Sequence, residues 1–108
     1  IFAAAVRGQG IDLMSPPWDA FRSAWTHGTD YRETHRLAHA VRAEHLAVIR
    51  YESARAPGAA CIVVFSPDAL TEPRGGLDAT RQQWTCTARR NRVMLQQDRK
   101  DGRYEWHA

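Results

Sequence analysis

Lysine is all but missing from this 108-residue chain: of its 15 basic residues only Lys100 is a lysine, and the others are arginines. Arginine presents a rigid fork of donors suited to phosphates and carboxylates. The formal net charge is only +3, and a surplus this small, spread along the chain, does not force a nucleic-acid reading. The one basic cluster, Arg89-Arg90-Asn91-Arg92, reads as a solvated turn, so no direct nucleic-acid contact is expected. Cysteine is scarce as well. Cys61 and Cys86 lie far apart with no C-x-x-C spacing, which removes support for a zinc ribbon or a redox motif. Each sits in a strand-like run and reads as a small buried apolar residue, a free thiol suited to a reducing cytoplasm. No apolar run is long enough to cross a bilayer, and Ile1-Phe2-Ala3-Ala4-Ala5-Val6 has no basic region before it as a signal peptide would. A soluble, cytoplasmic protein without a membrane partner is the expectation. Internal repeats and low-complexity segments are also missing.

Several catalytic signatures are absent. There is no G-x-S-x-G elbow and no glycine-rich phosphate loop, since Gly75-Gly76 is an isolated pair. His35 and His39 have the i, i+4 spacing of a metal pair on a helix, but the segment reads H-R-L-A-H and lacks the glutamate of H-E-x-x-H. A solvated helix face explains them better, and no metal is expected. Glu33 and Glu52 are not recognisable as a carboxylate pair for acid–base work.

What is present reads as α+β, a mixed β-sheet with flanking helices. Residues 1 to 6 read as a short strand, broken by Gly8 and Gly10, and Ile11-Asp12-Leu13 as a brief extended piece. Ser15-Pro16-Pro17 marks a helix start, and Trp18, Phe21, Arg22 and Trp25 recur by three and four, which places the aromatics on one face docked against a sheet. Asp30 and Glu33 have the spacing of a capping box before a helix from Tyr31 to His45. Leu46 to Tyr51 and Ala60 to Phe65 are strands by their β-branched and aromatic content, and the second, apolar almost throughout, is expected at the centre of a sheet covered on both faces. Ser66-Pro67-Asp68 starts one short helical turn. The tail reads as a β-meander: Gln83 to Ala88, Arg92 to Gln97 and Arg103 to His107, with Asn91 at one turn and Asp101-Gly102 at the other.

Between the two central strands lies Tyr51-Glu52-Ser53-Ala54-Arg55, then Ala56-Pro57-Gly58. A serine nucleophile needs a base and a group to orient it, and no spacing ties a histidine to Ser53. A hydroxyl that positions a ribose or a carboxamide is the better chemical reading. Arg55, two residues on, would share a strand face with Ser53 if the strand persists, and could meet a phosphate or a partner carboxylate. On composition alone, a backbone-bonded strand-end serine and a surface arginine account for both.

The order of these segments resembles the C-terminal half of the RES domain family. Gly10-Ile11-Asp12-Leu13 with Pro16-Pro17 resembles its short LDL element. The helix from Tyr31 to His45, running into Leu46 to Arg55, resembles its helix and serine strand. Pro57-Gly58, Cys61 to Phe65 and Pro67-Asp68-Ala69-Leu70 resemble the family's next segment, C-terminal to that strand. The match is sharpest over residues 46 to 70 and looser around Trp84 and Val93 to Gln96. The resemblance implies an ADP-ribosyltransferase-like fold. It also implies a toxin of a toxin–antitoxin system that takes NAD as substrate. Such a toxin cleaves the nicotinamide–ribose bond by phosphorolysis or hydrolysis, or transfers ADP-ribose. Of the arginine, glutamate and serine that name the family, only the serine is carried over, onto Ser53, as a catalytic and substrate-binding residue, with Arg55 beside it as substrate-binding. The other two lie earlier in the family's domain, and Arg7 lacks their sequence context. Residues 1–108 are therefore expected to be the C-terminal part of a single RES domain whose N-terminal part is missing, inactive by itself. A cognate helix-turn-helix antitoxin and a homodimer of the full-length protein are the expected partners. The competing reading is a small, basic, non-catalytic module that binds protein or nucleic acid.

Overall fold

The computed structural model describes residues 1–100 and 102–107. The chain divides into two units, Val6–Thr71 and a second made of Ile1–Ala5 with the segment from Glu72 onward. The segment predicted as a strand over residues 1 to 6 is extended in strand pairing only at β1 (Ala5–Val6).

In the first unit, β2 (Gly10–Asp12) runs parallel to β3 (Val48–Glu52), and β3 runs antiparallel to β4 (Ala60–Val64). The sheet is thus mixed and the class α+β, with β3 in the middle. That order corrects the central position expected for the Ala60 to Phe65 run. β4 flanks β3, and Ile62 and Val63, on its opposite faces, remain 47% and 39% exposed. An unbroken apolar run records β-propensity and low polarity, but not whether anything covers it. Glycine is required at position 10. A Cβ there would lie 2.1 Å from the carbonyl oxygen of Val48, its register partner on β3. Asp12 closes the same edge by accepting from the guanidinium of Arg50 at 2.9 Å, from the Met14 amide at 2.9 Å and from the Ser15 hydroxyl at 3.0 Å.

The aromatic helix is broken into a 3-10 turn, Trp18–Phe21, and one α turn, α1 (Arg22–Trp25). Trp18 and Trp25 face the core 6.5 Å apart and are joined by the Trp25 indole N–H donating to the Trp18 carbonyl at 2.9 Å, whereas Phe21 is exposed. The main helix, α2, spans Arg32–Ala43. The expected capping box does not form: the N-cap position is Tyr31, Asp30 accepts from the Arg32 amide at 3.1 Å, the Asp30 amide donates to His27 Nδ1 at 2.9 Å, and Glu33 pairs forward with Arg36. His45, expected as the last residue of the helix, lies outside it. It takes φ = 55° and donates to the Arg42 carbonyl, while Leu46 donates to the Val41 carbonyl, the two bonds of a Schellman ending. That ending lays Leu46 back over the helix and sends the chain into β3. Leu13, Val41 and Ile49 form the buried core, with Ile11, Leu37, Tyr51 and Phe65 packed against it. After β4, Ser66 accepts from the Asp68 amide and Pro67 opens a 3-10 turn, Pro67–Ala69, as the sequence predicts; β5 (Leu70–Thr71) comes next.

The second unit holds the meander β6 (Trp84–Arg89), β7 (Arg92–Gln97) and β8 (Arg103–His107), antiparallel throughout. Trp84, Tyr104 and Trp106 share one face, with ring centroids 5.9 and 6.2 Å apart. Cys86, expected to be buried, is exposed: strand-like sequence sets its face but not whether anything covers that face. The β7–β8 turn closes where Gln97 donates to Gly102; Asp101, part of the expected hairpin signal, lies outside the described residues. Among the described residues, no helix is long and apolar enough to cross a membrane.

Candidate functional site: the serine turn after β3

β3 stops at Glu52, so Ser53 is the first residue of a turn. Its amide donates to the Ala59 carbonyl at 2.9 Å, which keeps the two arms of the hairpin together one step beyond the last ladder pair, Glu52–Ala60. Its Oγ accepts from the Arg55 amide at 3.3 Å and the Ala56 amide at 3.2 Å. Serine favours this local arrangement, which takes backbone amides that a continuing strand would otherwise use. With both lone-pair directions engaged, the hydroxyl has one role left, as a hydrogen-bond donor. Ser53 is half-buried.

Arg55 is not where the strand alternation would put it. The chain has already turned, so the two-residue period that would have aligned Arg55 with Ser53 no longer applies, and Arg55 is exposed. His35 and His39 are both exposed on α2, and His35 stacks on Tyr31 at 6.2 Å. Among the described residues, no three His, Cys, Asp or Glu side chains are grouped to hold a metal.

The turn is braced from below. Glu52 Oε2 accepts from Arg22 Nε at 2.5 Å, and Glu52 Oε1 accepts from Arg22 Nη2 at 2.7 Å and from the Gly58 amide at 2.7 Å. The arginine, together with the amide of Gly58, holds the Glu52 carboxyl at about 2, well below the usual carboxylate range. Gly58 has φ = +81°, a conformation open to glycine at little cost. In the sequence, Arg22 stands out only as part of an aromatic helical face, and Glu52 only as a second carboxylate beside Glu33. Thirty residues separate Arg22 from Glu52, and no local pattern announces their pairing.

On the sheet side of the turn, a cleft of about 310 Å³ lies between the sheet and the helices, lined mainly by apolar and aromatic groups including Leu13, Trp25, Tyr31, His35, Tyr51 and Ala54. This volume is at the lower end of what small-molecule sites occupy. Tyr51 and Ala54, the residues on either side of Glu52 and Ser53, line the cleft, and Ser53 itself is not part of its lining. Burial, with a smaller contribution from neighbouring Cys61, pushes the Tyr51 phenol up, and it stays protonated at neutral pH. A second hollow of about 100 Å³ is lined by Arg22 and Glu52 with Met14, Asp19 and Thr26.

The elements in this unit and the serine turn define an α+β domain with a donor hydroxyl at a strand end beside an apolar cleft. The sequence model of the RES domain matches residues 1–89, which is most of the chain and includes every residue of this site. The chain belongs to the RES domain family, whose members act on NAD and are associated with toxin function. The match ends at the last residue of β6, so β7 and β8 lie beyond it. No curated protein matches the chain.

Proposed function

We propose that this chain is the serine-bearing part of a RES-type toxin that destroys NAD at the nicotinamide–ribose bond, within an ADP-ribosyltransferase-like domain. The observation that supports it most is the state of Ser53: an oxygen held by two backbone amides, with its proton free to donate, in the residue just before Ala54, which lines an apolar cleft. In the reaction the C1′–N1 bond breaks and its electron pair leaves with nicotinamide, neutralising the pyridinium. An oxygen of phosphate, water or a protein acceptor bonds to C1′ and gives up a proton. Positive charge builds on the ribose along the way, and groups that meet it only in the transition state accelerate the step. Ser53 would donate to the nicotinamide carboxamide or a ribose hydroxyl and fix its orientation.

The arginine and glutamate that complete the family's site have no counterpart at the serine turn. Arg22 and Glu52 neutralise each other, which leaves neither for the phosphates or the ribose cation. We assign those roles to protein outside these 108 residues. Arg55, being exposed, remains a candidate for the phosphates. A helix-turn-helix antitoxin that closes the NAD pocket, a homodimer of the full-length toxin and a cytoplasmic setting complete the proposal.

The test is nicotinamide release from NAD by the full-length protein, with and without inorganic phosphate. Release that needs phosphate identifies phosphorolysis, and release without it identifies hydrolysis. Ser53→Ala should remove most of the activity, and residues 1–108 alone should show none. Robust turnover by the 108-residue chain would refute the assignment of essential groups elsewhere.

A further inference from the structure

We infer that Arg22 and Glu52 are positioning residues for Ser53, a latch that fixes the serine turn to the helical layer; this rests on the reading of Ser53 given above. Glu52 is the residue immediately before Ser53, so rotation of its backbone carries the serine with it. Its carboxylate receives three donors, two from Arg22 and one from Gly58, and its side chain is only 12% exposed although Arg22 is 61% exposed. The Gly58 bond spans the turn, joining the residue before Ser53 to the residue before Ala59, where the hairpin arms meet again. The Arg22 bonds join that closed turn to α1, and α1 is itself seated by Trp18 and Trp25 against the core. A bidentate arginine–carboxylate pair fixes both distance and angle.

The pair has no other evident work to do. Three donors converge on one carboxylate, so Glu52 is already satisfied, and its strongly acidic character makes it neither a proton donor nor a base at neutral pH. The Ser53 hydroxyl, by contrast, is held to the fold only through its own turn. Its amide contacts at 3.2 and 3.3 Å are long, and they set its orientation relative to residues 55 and 56, not relative to the cleft. Orientation relative to the cleft is what the latch supplies.

The experiment is a double-mutant cycle in the full-length protein. Glu52→Gln keeps the side-chain shape and an oxygen for Gly58, but turns an amide NH₂ towards the guanidinium, donor against donor. A displacement of about 1 Å at a reacting group can cost on the order of 100-fold in rate, so Glu52→Gln should lower kcat roughly 10- to 100-fold with a smaller change in KM. Combined with Ser53→Ala it should cost nothing further, because the serine through which it acts is gone. Arg22→Lys, which keeps the charge and loses the fork, should fall between wild type and Glu52→Gln, and it carries the same cycle if Glu52→Gln does not fold. Losses that multiply, or wild-type kcat in Glu52→Gln, would overturn the latch. Amide exchange separates this idea from the enzyme proposal. If the wild-type protein releases no nicotinamide, the enzyme reading fails, and the latch is then judged by exchange at Ala56 and Gly58. Faster exchange there in Glu52→Gln, with β3 still protected, supports it. Unchanged exchange refutes it.

Discussion

Replacing Ser53 by aspartate separates the two jobs of that residue. Its oxygen accepts two turn amides, and its proton is left to donate. Alanine removes both functions. An ionised aspartate keeps acceptors within reach of the Arg55 and Ala56 amides, as Asx turns do, but has no proton to offer. Threonine keeps both. The turn amides are near the surface and water can replace the lost acceptor, so Ser53→Ala should cost only about 1 kcal/mol of stability, as removal of a helix N-cap does. A donor aimed at charge or polarity that develops in the transition state is worth roughly 100- to 1,000-fold in kcat. We therefore expect Ser53→Asp to unfold within about 0.5 kcal/mol of wild type, a normal surface substitution, while losing activity as severely as Ser53→Ala. Ser53→Thr should retain most of both. The readouts are kcat for nicotinamide release and thermal unfolding of the same full-length preparations. An aspartate variant that turns over NAD normally would refute the donor role. If activity instead tracks stability across the three variants, Ser53 serves only to shape the turn.

Other outcomes rest on the same structure. Because the Glu52 carboxyl is lowered from 4.5 to about 2, its contribution to stability is complete above pH 4.5 and is lost as the pH falls towards 2; a carboxyl-resolved NMR titration that shows Glu52 titrating near 4.5 would contradict this. Val41→Ala empties part of the most deeply buried site and should lower the denaturant-derived stability by about 2 kcal/mol, the two lost methyl groups plus the void they leave. Gly10→Ala drives a methyl into the Val48 carbonyl and should separate β2 from β3, visible as loss of protection at the Leu13 amide, which donates to the Arg50 carbonyl. Exposed Cys86 should be alkylated before half-buried Cys61 under native conditions, and the difference should vanish in denaturant.

Elements were legible where one short segment contains all the determinants. Ser66-Pro67-Asp68 carries its own cap, so three residues suffice to specify the 3-10 turn there. The meander is similar: Trp84, Tyr104 and Trp106 alternate with polar residues, and the strands lie next to one another along the chain, so alternation and turns suffice to pair them. Local signals failed where the outcome depended on distant groups. The capping-box spacing of Asp30 and Glu33 came to nothing because His27 takes the Asp30 amide and Arg36 pairs with Glu33. The aromatic stripe from Trp18 to Trp25 indicated a continuous helix, yet it became two short turns with Phe21 left outside. The position of β4 depended on which strands happened to flank β3, and the Ala60 to Phe65 run contains no record of that.

For the site, the sequence by itself determined that Ser53 lies between a strand and a Pro-Gly turn and that its neighbourhood resembles the RES serine segment, because both are properties of contiguous residues. Only the tertiary structure decided that the serine oxygen is already occupied by two amides, that Arg55 has turned off the strand face, and that Arg22 closes on Glu52. Those outcomes depend on where β3 stops and on how a helix thirty residues upstream docks, and such contacts arise only when the chain has folded around a common core.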